Sequence, residues 1–304
     1  MRAFVDQHRE SYGVEPICKV LQIAPSGYRC HAARKRQPEL LCDRAKRDET
    51  LMPQIKAVWQ ANMQVYGAEK VWHQMNRDGN KVARCTVERL MKRMGLHGVR
   101  RGKVIRTTVS DKAAPCPLDR VNRQFKADRP NQLWVSDFTY VSTWQGWQYV
   151  AFVIDVFARR IVGWRVSSSM RTDFVLDALE QALFDRQPER SDALIHHSDR
   201  GSQYVSILYT ERLAQAGIEP SVGSRGDSYD NALAETINGL YKAELIHRRA
   251  PWKTKEALEL ATLEWVAWFN HHRLLSSIGY IAPAEAEVNY YRQLAGKNET
   301  EVST

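Results

Sequence analysis

The chain has 304 residues, 43% of them hydrophobic and 26% charged, with 44 Lys and Arg against 35 Asp and Glu for a formal net charge of +9. That balance excludes a disordered chain, and no apolar run approaches the ~20 residues of a membrane span. The five cysteines are odd in number and lack Cys-x-x-Cys spacing, which fits free thiols in a reducing compartment better than a disulfide framework or a zinc knuckle.

Charge divides the chain. Residues 1–130 hold 27 Lys and Arg against 13 Asp and Glu, or +14, and the remainder is −5. A basic front joined to a mildly acidic back points to a polyanion-binding part attached to a second module. After Met1-Arg2-Ala3, which opens no apolar leader, residues 1–44 read as a helical segment. Its helices are expected at Val5 to Tyr12, from Pro16 as an N1 proline to Leu21, and, after a break at Pro25-Ser26-Gly27-Tyr28, from Tyr28 to Arg36.

Residues 45–97 repeat the theme. Leu51, Ile55 and Val58 recur at helical spacing, Tyr66-Gly67 is a turn, Glu69 to Asn76 a second helix and Asp78-Gly79-Asn80 a strong turn. Thr86 to Met94 is a third helix, closed by Gly95, with Val87, Leu90, Met91 and Met94 on one face. Arg84, Arg89, Lys92 and Arg93 lie on or beside the other. An apolar and a basic stripe after a tight turn is the layout of a recognition helix in a helix-turn-helix DNA-binding domain; an ordinary three-helix bundle with a basic surface has the same pattern. Nine basic residues and one acid, Glu88, stand between Lys81 and Arg106. Arg100, Arg101 and Lys103 carry the run into a Gly- and Pro-containing basic linker over 98–130, suited to DNA phosphates.

From Leu133 the period changes. Leu133 to Tyr140, Trp147 to Val156 and Arg160 to Val166 read as three strands joined by hairpins. There follow a helix from Thr172 to Phe184, a strand from Ala193 to His196, a helix from Tyr204 to Ala216, a strand from Ile218 to Val222 and a long helix from Tyr229 to Ile246. That order predicts an α/β domain, a mixed five-stranded sheet with flanking helices, over 131–250. A helical extension and tail fills 251–304, with Trp265, Trp268 and Phe269 as core and residues after about Gln293 as tail.

Three acids stand where such a sheet could gather them. Asp137 lies inside the first strand, where an unpaired carboxylate needs a partner or a metal. Asp199 follows the fourth strand, the position where chemistry collects in α/β sheets. Glu235 shares a polar stripe of the last helix with Asn231, Asn238 and Lys242, opposite the apolar stripe of Leu233, Ile237, Leu240, Tyr241 and Leu245. Phosphoryl transfer on DNA needs charge neutralised on the attacking and leaving oxygens, and two Mg²⁺ ions held by a few carboxylates supply that. Taken singly, each acid could instead be a surface group or a cap, a reading that suits Asp199 better than Asp137.

Four segments resemble a known family: Trp134-Val135-Ser136-Asp137-Phe138-Thr139-Tyr140, Asp155 through Trp164, His197-Ser198-Asp199-Arg200-Gly201-Ser202-Gln203-Tyr204, and Ser224 through Glu235. From about Asn131 to Val288 the chain is similar to the ribonuclease-H-like integrase core of DDE transposases, more narrowly to the OrfB proteins of insertion-sequence family three. The 35 residues between Asp199 and Glu235 match the family's spacing, and the region around Tyr66-Gly67 and Leu90-Met91 resembles its helix-turn-helix.

The resemblance implies that Asp137, Asp199 and Glu235 are catalytic acids holding two Mg²⁺ ions, for which Mn²⁺ substitutes. Lys242 is then a contact to DNA near the scissile phosphate, with His197 and Asn231 in support, and Asp155 lies outside the triad. It implies binding of terminal inverted repeats, cleavage of one strand and attack of the freed 3′-OH on a second phosphodiester. The implied partners are double-stranded DNA at element ends and target, further copies of this chain, and an upstream OrfA-type product or its frameshift fusion. The implied setting is the cytoplasm and nucleoid of a bacterium. A catalytically inactive DNA-binding relative and a ribonuclease-H-like nuclease that cuts without joining are the alternatives. His196 and His197 lack the further ligands of a zinc site.

Overall fold

The structure is a computed structural model that describes residues 1–100, 102, 126–189, 193–199, 203–204, 206–222 and 232–302. Three short helices, α1 (Arg2–Tyr12), α2 (Val14–Val20) and α3 (Pro25–Arg36), enclose a small core of Val5, Ile17, Cys18 and Tyr28. The expected break at Pro25 is instead a start. The chain turns at Gln22, whose φ is 53°, and Pro25 opens α3 at its first turn, where its missing N–H costs no bond.

Helices α4 (Asp43–Ala61), α5 (Ala68–Arg77) and α6 (Arg84–Arg93) form the second helical unit. Leu51, Ile55, Val71, Met75, Val87 and Leu90 fill its interior. The α5–α6 turn is pinned by Trp72 Nε1, which donates to the Val82 carbonyl at 2.8 Å, and by Asn76, which exchanges two hydrogen bonds with the Val82 backbone.

The sheet comprises β1 (Leu133–Thr143), β2 (Gly146–Asp155), β3 (Arg160–Ser167), β4 (Ile195–Ser198) and β5 (Glu219–Val222), in the spatial order β3-β2-β1-β4-β5. β1, β2 and β3 run antiparallel, and β4 and β5 join parallel to β1, giving the expected mixed sheet. Side chains alternate between faces along β1. Trp134 packs with α7 (Thr172–Arg186) and α8 (Ile207–Gln215) on one side. Leu133, Val135 and Val141 pack with α9 (Ala232–Tyr241) and α11 (Lys255–His271) on the other. Gly163 lets β3 approach α7: a Cβ there would stand 2.1 Å from the Ala178 carbonyl oxygen.

After α9 a single π-helical turn, Lys242–Ile246, and the short α10 (His247–Arg249) replace the uninterrupted helix expected to Ile246. Trp265, Trp268 and Phe269 of α11 are core residues, as expected. The expected tail beyond Gln293 continues as helix, α12 (Pro283–Val302).

The second helical unit is seated on α11 rather than tethered to it. Tyr66 Oη donates to the His272 carbonyl at 2.9 Å and accepts from the Leu274 amide at 2.7 Å. Trp268 Nε1 donates to Asn62, and Arg77 pairs with Glu285 at 2.6 Å. Helices α4–α6 and the sheet thus share one continuous apolar cluster.

Candidate active site

Strand pairing sets the first relationship. β1 and β4 run parallel with Ser136 opposite Ser198, so the next residue on each strand is an aspartate: Asp137 on β1 and Asp199 just past β4. The two carboxylates leave adjacent strands at the same level of the sheet, at the carboxyl end of β4. Helix α9 crosses that level on the face Asp137 shares with Val135. Asn238 Nδ2 donates to Asp137 Oδ2 at 2.9 Å, while Oδ1 accepts from the Phe138 amide at 2.8 Å. Glu235 lies three residues before Asn238, one turn away on the same helical face.

Burial and like charge act together here. Desolvation, then the negative charge of Asp199 and, less strongly, of Glu235, push Asp137 up to about 7, against the two hydrogen bonds that favour its ionised form. Lys242, at the start of the π turn, lies with Nζ 4.7 Å from the centre of the Tyr140 ring. Its half-buried position depresses its pKa, and the charge of Asp137 opposes that. Glu235 and Asp199 are solvent-exposed.

Beneath the acids, β4 supplies a buried polar layer. His196 Nε2 is 2.7 Å from Ser136 Oγ and 3.1 Å from Tyr209 Oη, and burial pulls the imidazole down to about 3, so it is uncharged at neutral pH. His197 Nδ1 is 2.9 Å from Ser221 Oγ on β5. Asp155 is wholly buried and structural. It accepts from the Asn131 and Phe157 amides at 2.8 and 3.0 Å and from Arg186 at 3.2 Å, and Arg186 also grips Glu287.

An all-oxygen set of three carboxylates, one of them desolvated and raised by the charge of the others, is the chemistry of a hard divalent cation site. Among the described residues no three His, Cys, Asp or Glu side chains are already drawn into a metal cage. The donor set fits Mg²⁺ in type.

The basic candidates separate. Arg84, Lys92, Arg93 and Arg100 are exposed. Arg89 is held by Asp48 of α4 in a two-pronged pair at 2.7 and 2.8 Å, so its charge is matched within the protein. Arg101, Lys103 and Asn231 lie outside the described residues. The residue missed as a site member is Asn238. Its place on the Glu235 stripe was the available signal, but which helical face meets Asp137 is decided by long-range packing.

Comparison with known proteins gives the family. The chain is 58% identical over 294 residues to the transposase for insertion sequence element IS629 of Shigella sonnei, covering 97% of this chain and 98% of that one. It belongs to the insertion-sequence transposases. Transposase InsF for insertion sequence IS3A of Escherichia coli strain K12 is 28% identical, over 93% of this chain and 97% of that one. An HTH-like domain family matches residues 46–104, and integrase core domain families match 127–228 and 216–283. The five-stranded sheet with its helices is accordingly the ribonuclease-H-like integrase core, preceded by an HTH-like region. Among solved structures, the HTLV-2 integrase catalytic core domain in complex with magnesium is 16% identical with a TM-score of 0.43, covering 53% of this chain and 99% of that one.

Proposed function

We propose that this transposase binds the terminal inverted repeats of its element and carries out metal-dependent strand cleavage and 3′-OH strand transfer, with Asp137, Asp199 and Glu235 as the catalytic acids. The observation that carries this is the pairing of β1 with β4, which sets Asp137 and Asp199 at one level of the sheet, with the helix of Glu235 brought alongside by the Asn238–Asp137 hydrogen bond. The three would hold two Mg²⁺ ions, or Mn²⁺ in their place. When bound, such ions supply charge neutralisation at the attacking and leaving oxygens of the phosphoryl group.

The chain's own residues then have distinct tasks. Asn238 fixes the Asp137 carboxylate so that one oxygen is turned by the helix and the other by the Phe138 amide. Lys242 sits where its ammonium would meet a DNA phosphate beside the acids. Arg84, Lys92, Arg93 and Arg100 would engage duplex phosphates, with 45–97 as the DNA-binding domain, 1–44 a helical addition, 98–130 a basic linker, 131–250 the catalytic domain and 251–304 the extension. In cleavage, water displaces the 3′ oxygen from phosphorus, leaving a 3′-OH and a 5′-phosphate. In transfer, that 3′-OH displaces a second 3′ oxygen, so one phosphodiester is exchanged for another and no energy source is consumed.

Joining two element ends calls for more than one copy of the chain, and the OrfA-type upstream product or its fusion would add further DNA recognition. The reaction would take place in the bacterial cytoplasm. The test is a joining assay with labelled element ends, Mg²⁺ and the chain or its fusion, beside Glu235→Gln. Joined product absent from the variant is the expected result. Metal-dependent cutting without joining, even by the fusion, would make the protein a nuclease, and binding without chemistry an inactive relative.

A further inference from the structure

Behind the glutamate helix lies a cavity of about 340 Å³ that none of the acids enters. Leu233 and Ile237 of α9 form part of its wall, and these stand on the face of the helix opposite Glu235 and Asn238. Its polar lining comes from four places: Lys70 on α5, Arg159 in the β2–β3 turn, Thr236 on α9, and Arg273, Ser276 and Ser277 after α11. It is therefore built where the HTH-like helices, the sheet and the C-terminal extension meet.

The charges in this cavity do not cancel. Arg273 is matched by Glu244 in a buried pair. Lys70 and Arg159 have no carboxylate within ion-pair distance among the described residues. The acids that act on Lys70 are engaged elsewhere, Glu244 by Arg273 and Glu69 by Tyr280 Oη at 2.8 Å. Burial draws Lys70 down to about 7 and lowers Arg159 as well. Arg159 also holds a left-handed backbone, φ 59°, unusual for a long side chain. Lys70 Nζ has only the face of the Tyr66 ring, 5.4 Å from its centre, as compensation, and half-buried cations without a counter-charge cost stability unless an anion completes them.

We propose that this cavity is a phosphate-binding site, in which Lys70 holds a phosphate group, Arg159 adds positive charge from the β2–β3 turn, and the hydroxyls of Ser276 and Ser277 line its oxygens. The volume admits a phosphate with attached sugar, so the group is either a phosphodiester of bound DNA or free inorganic phosphate. Occupancy would tie α5, the β2–β3 turn and the rear of the glutamate helix together. This inference does not depend on the acids being catalytic.

The test uses the full chain, inorganic phosphate as the probe, and the variants Lys70→Met and Arg159→Asn, the asparagine being tolerant of a left-handed backbone. Thermal unfolding is followed against phosphate, with chloride at matched ionic strength. Specific binding adds a saturating rise in Tm on top of the linear stabilisation that phosphate gives any protein. The wild type is expected to show the saturating part and both variants to lose it, while Lys70→Met without phosphate unfolds no lower than wild type because a desolvated charge has gone. The second arm measures affinity for an element-end duplex against salt. If the phosphate belongs to DNA, the slope of log K against log salt falls by about 0.9 in Lys70→Met. If the slope is unchanged while the saturating rise is lost, the ligand is free phosphate. A wild type with no saturating rise and no slope difference from the variants overturns the site, as does a saturating rise retained in both variants.

Discussion

The Asn238 side-chain amide donates to Asp137 across the β1–α9 boundary at 2.9 Å, so a residue of the glutamate helix sets the orientation of the strand acid. A hydrogen bond to a charged group contributes about 1.5–3 kcal/mol. Asn238→Ala is therefore expected to raise the Mg²⁺ concentration for half-maximal joining roughly tenfold or more, since that energy corresponds to at least one decade. It should also move the acid limb of the pH profile upward, because the ionised form of Asp137 loses a donor. An unchanged metal requirement together with an unchanged pH profile would show that the contact does not position the acid.

Asp137 makes a second prediction through stability. Its folded value of about 7 stands above the 3.8 of an unfolded aspartate. Such a group's contribution is fully present below the unfolded value and lost as pH rises through the folded one. Between pH 4 and pH 7 the metal-free chain pays progressively for this charge. Asp137→Asn, measured with a chelator present, should unfold at a higher temperature than wild type at pH 8, with the difference shrinking toward pH 5. It should abolish joining throughout. A difference in Tm that does not vary with pH would contradict the raised value.

The basic face of α6 separates by salt dependence. Lys92→Gln or Arg93→Gln, each exposed, should reduce the slope of log K against log salt for DNA binding by about one. Arg89→Gln should alter the slope less, because Asp48 already matches its charge, and should act instead through the seating of α6 on α4. Equal slope changes at all three positions would mean that DNA displaces Asp48.

The buried Arg273–Glu244 pair tests the joint between core and extension. Both side chains are almost wholly buried, with Arg273 Nε donating to Glu244 Oε2 at 3.0 Å. Removing one partner of such a pair costs about 3–5 kcal/mol, whereas apolar replacement of both is far milder. Glu244→Leu is expected to lower the midpoint of urea unfolding sharply, and Glu244→Leu with Arg273→Met to recover most of the loss. A single variant as stable as wild type would place the pair in contact with water.

Much of this architecture was legible in the chain. The β-rich composition of Leu133 to Tyr140 and the apolar runs after it define the strands, and the 3.6-residue period signals α4 and places α5 through α8 to within a few residues. Asp137 and Asp155 are equally visible as acids in strands, and beyond the family resemblance only tertiary partners separate them: Arg186 and two amides close around Asp155, and an amide of α9 reaches Asp137. The π turn after Tyr241 and the helical continuation past Gln293 left no local signature. The seating of Asn62 and Tyr66 on α11 joins residues some 200 positions apart, a relationship no periodicity encodes.

That seating has a geometric consequence. Helices locked to the sheet domain through Tyr66 cannot swing on a leash, so the span from α6 to the three acids behaves as a rigid calliper. If α6 binds the repeat and the acids meet the scissile phosphate, as proposed, such a calliper is read in base pairs: sequence bound at one jaw dictates which phosphate meets the other. Moving the repeat by half a helical turn relative to the element's end would carry the scissile phosphate to the far side of the duplex.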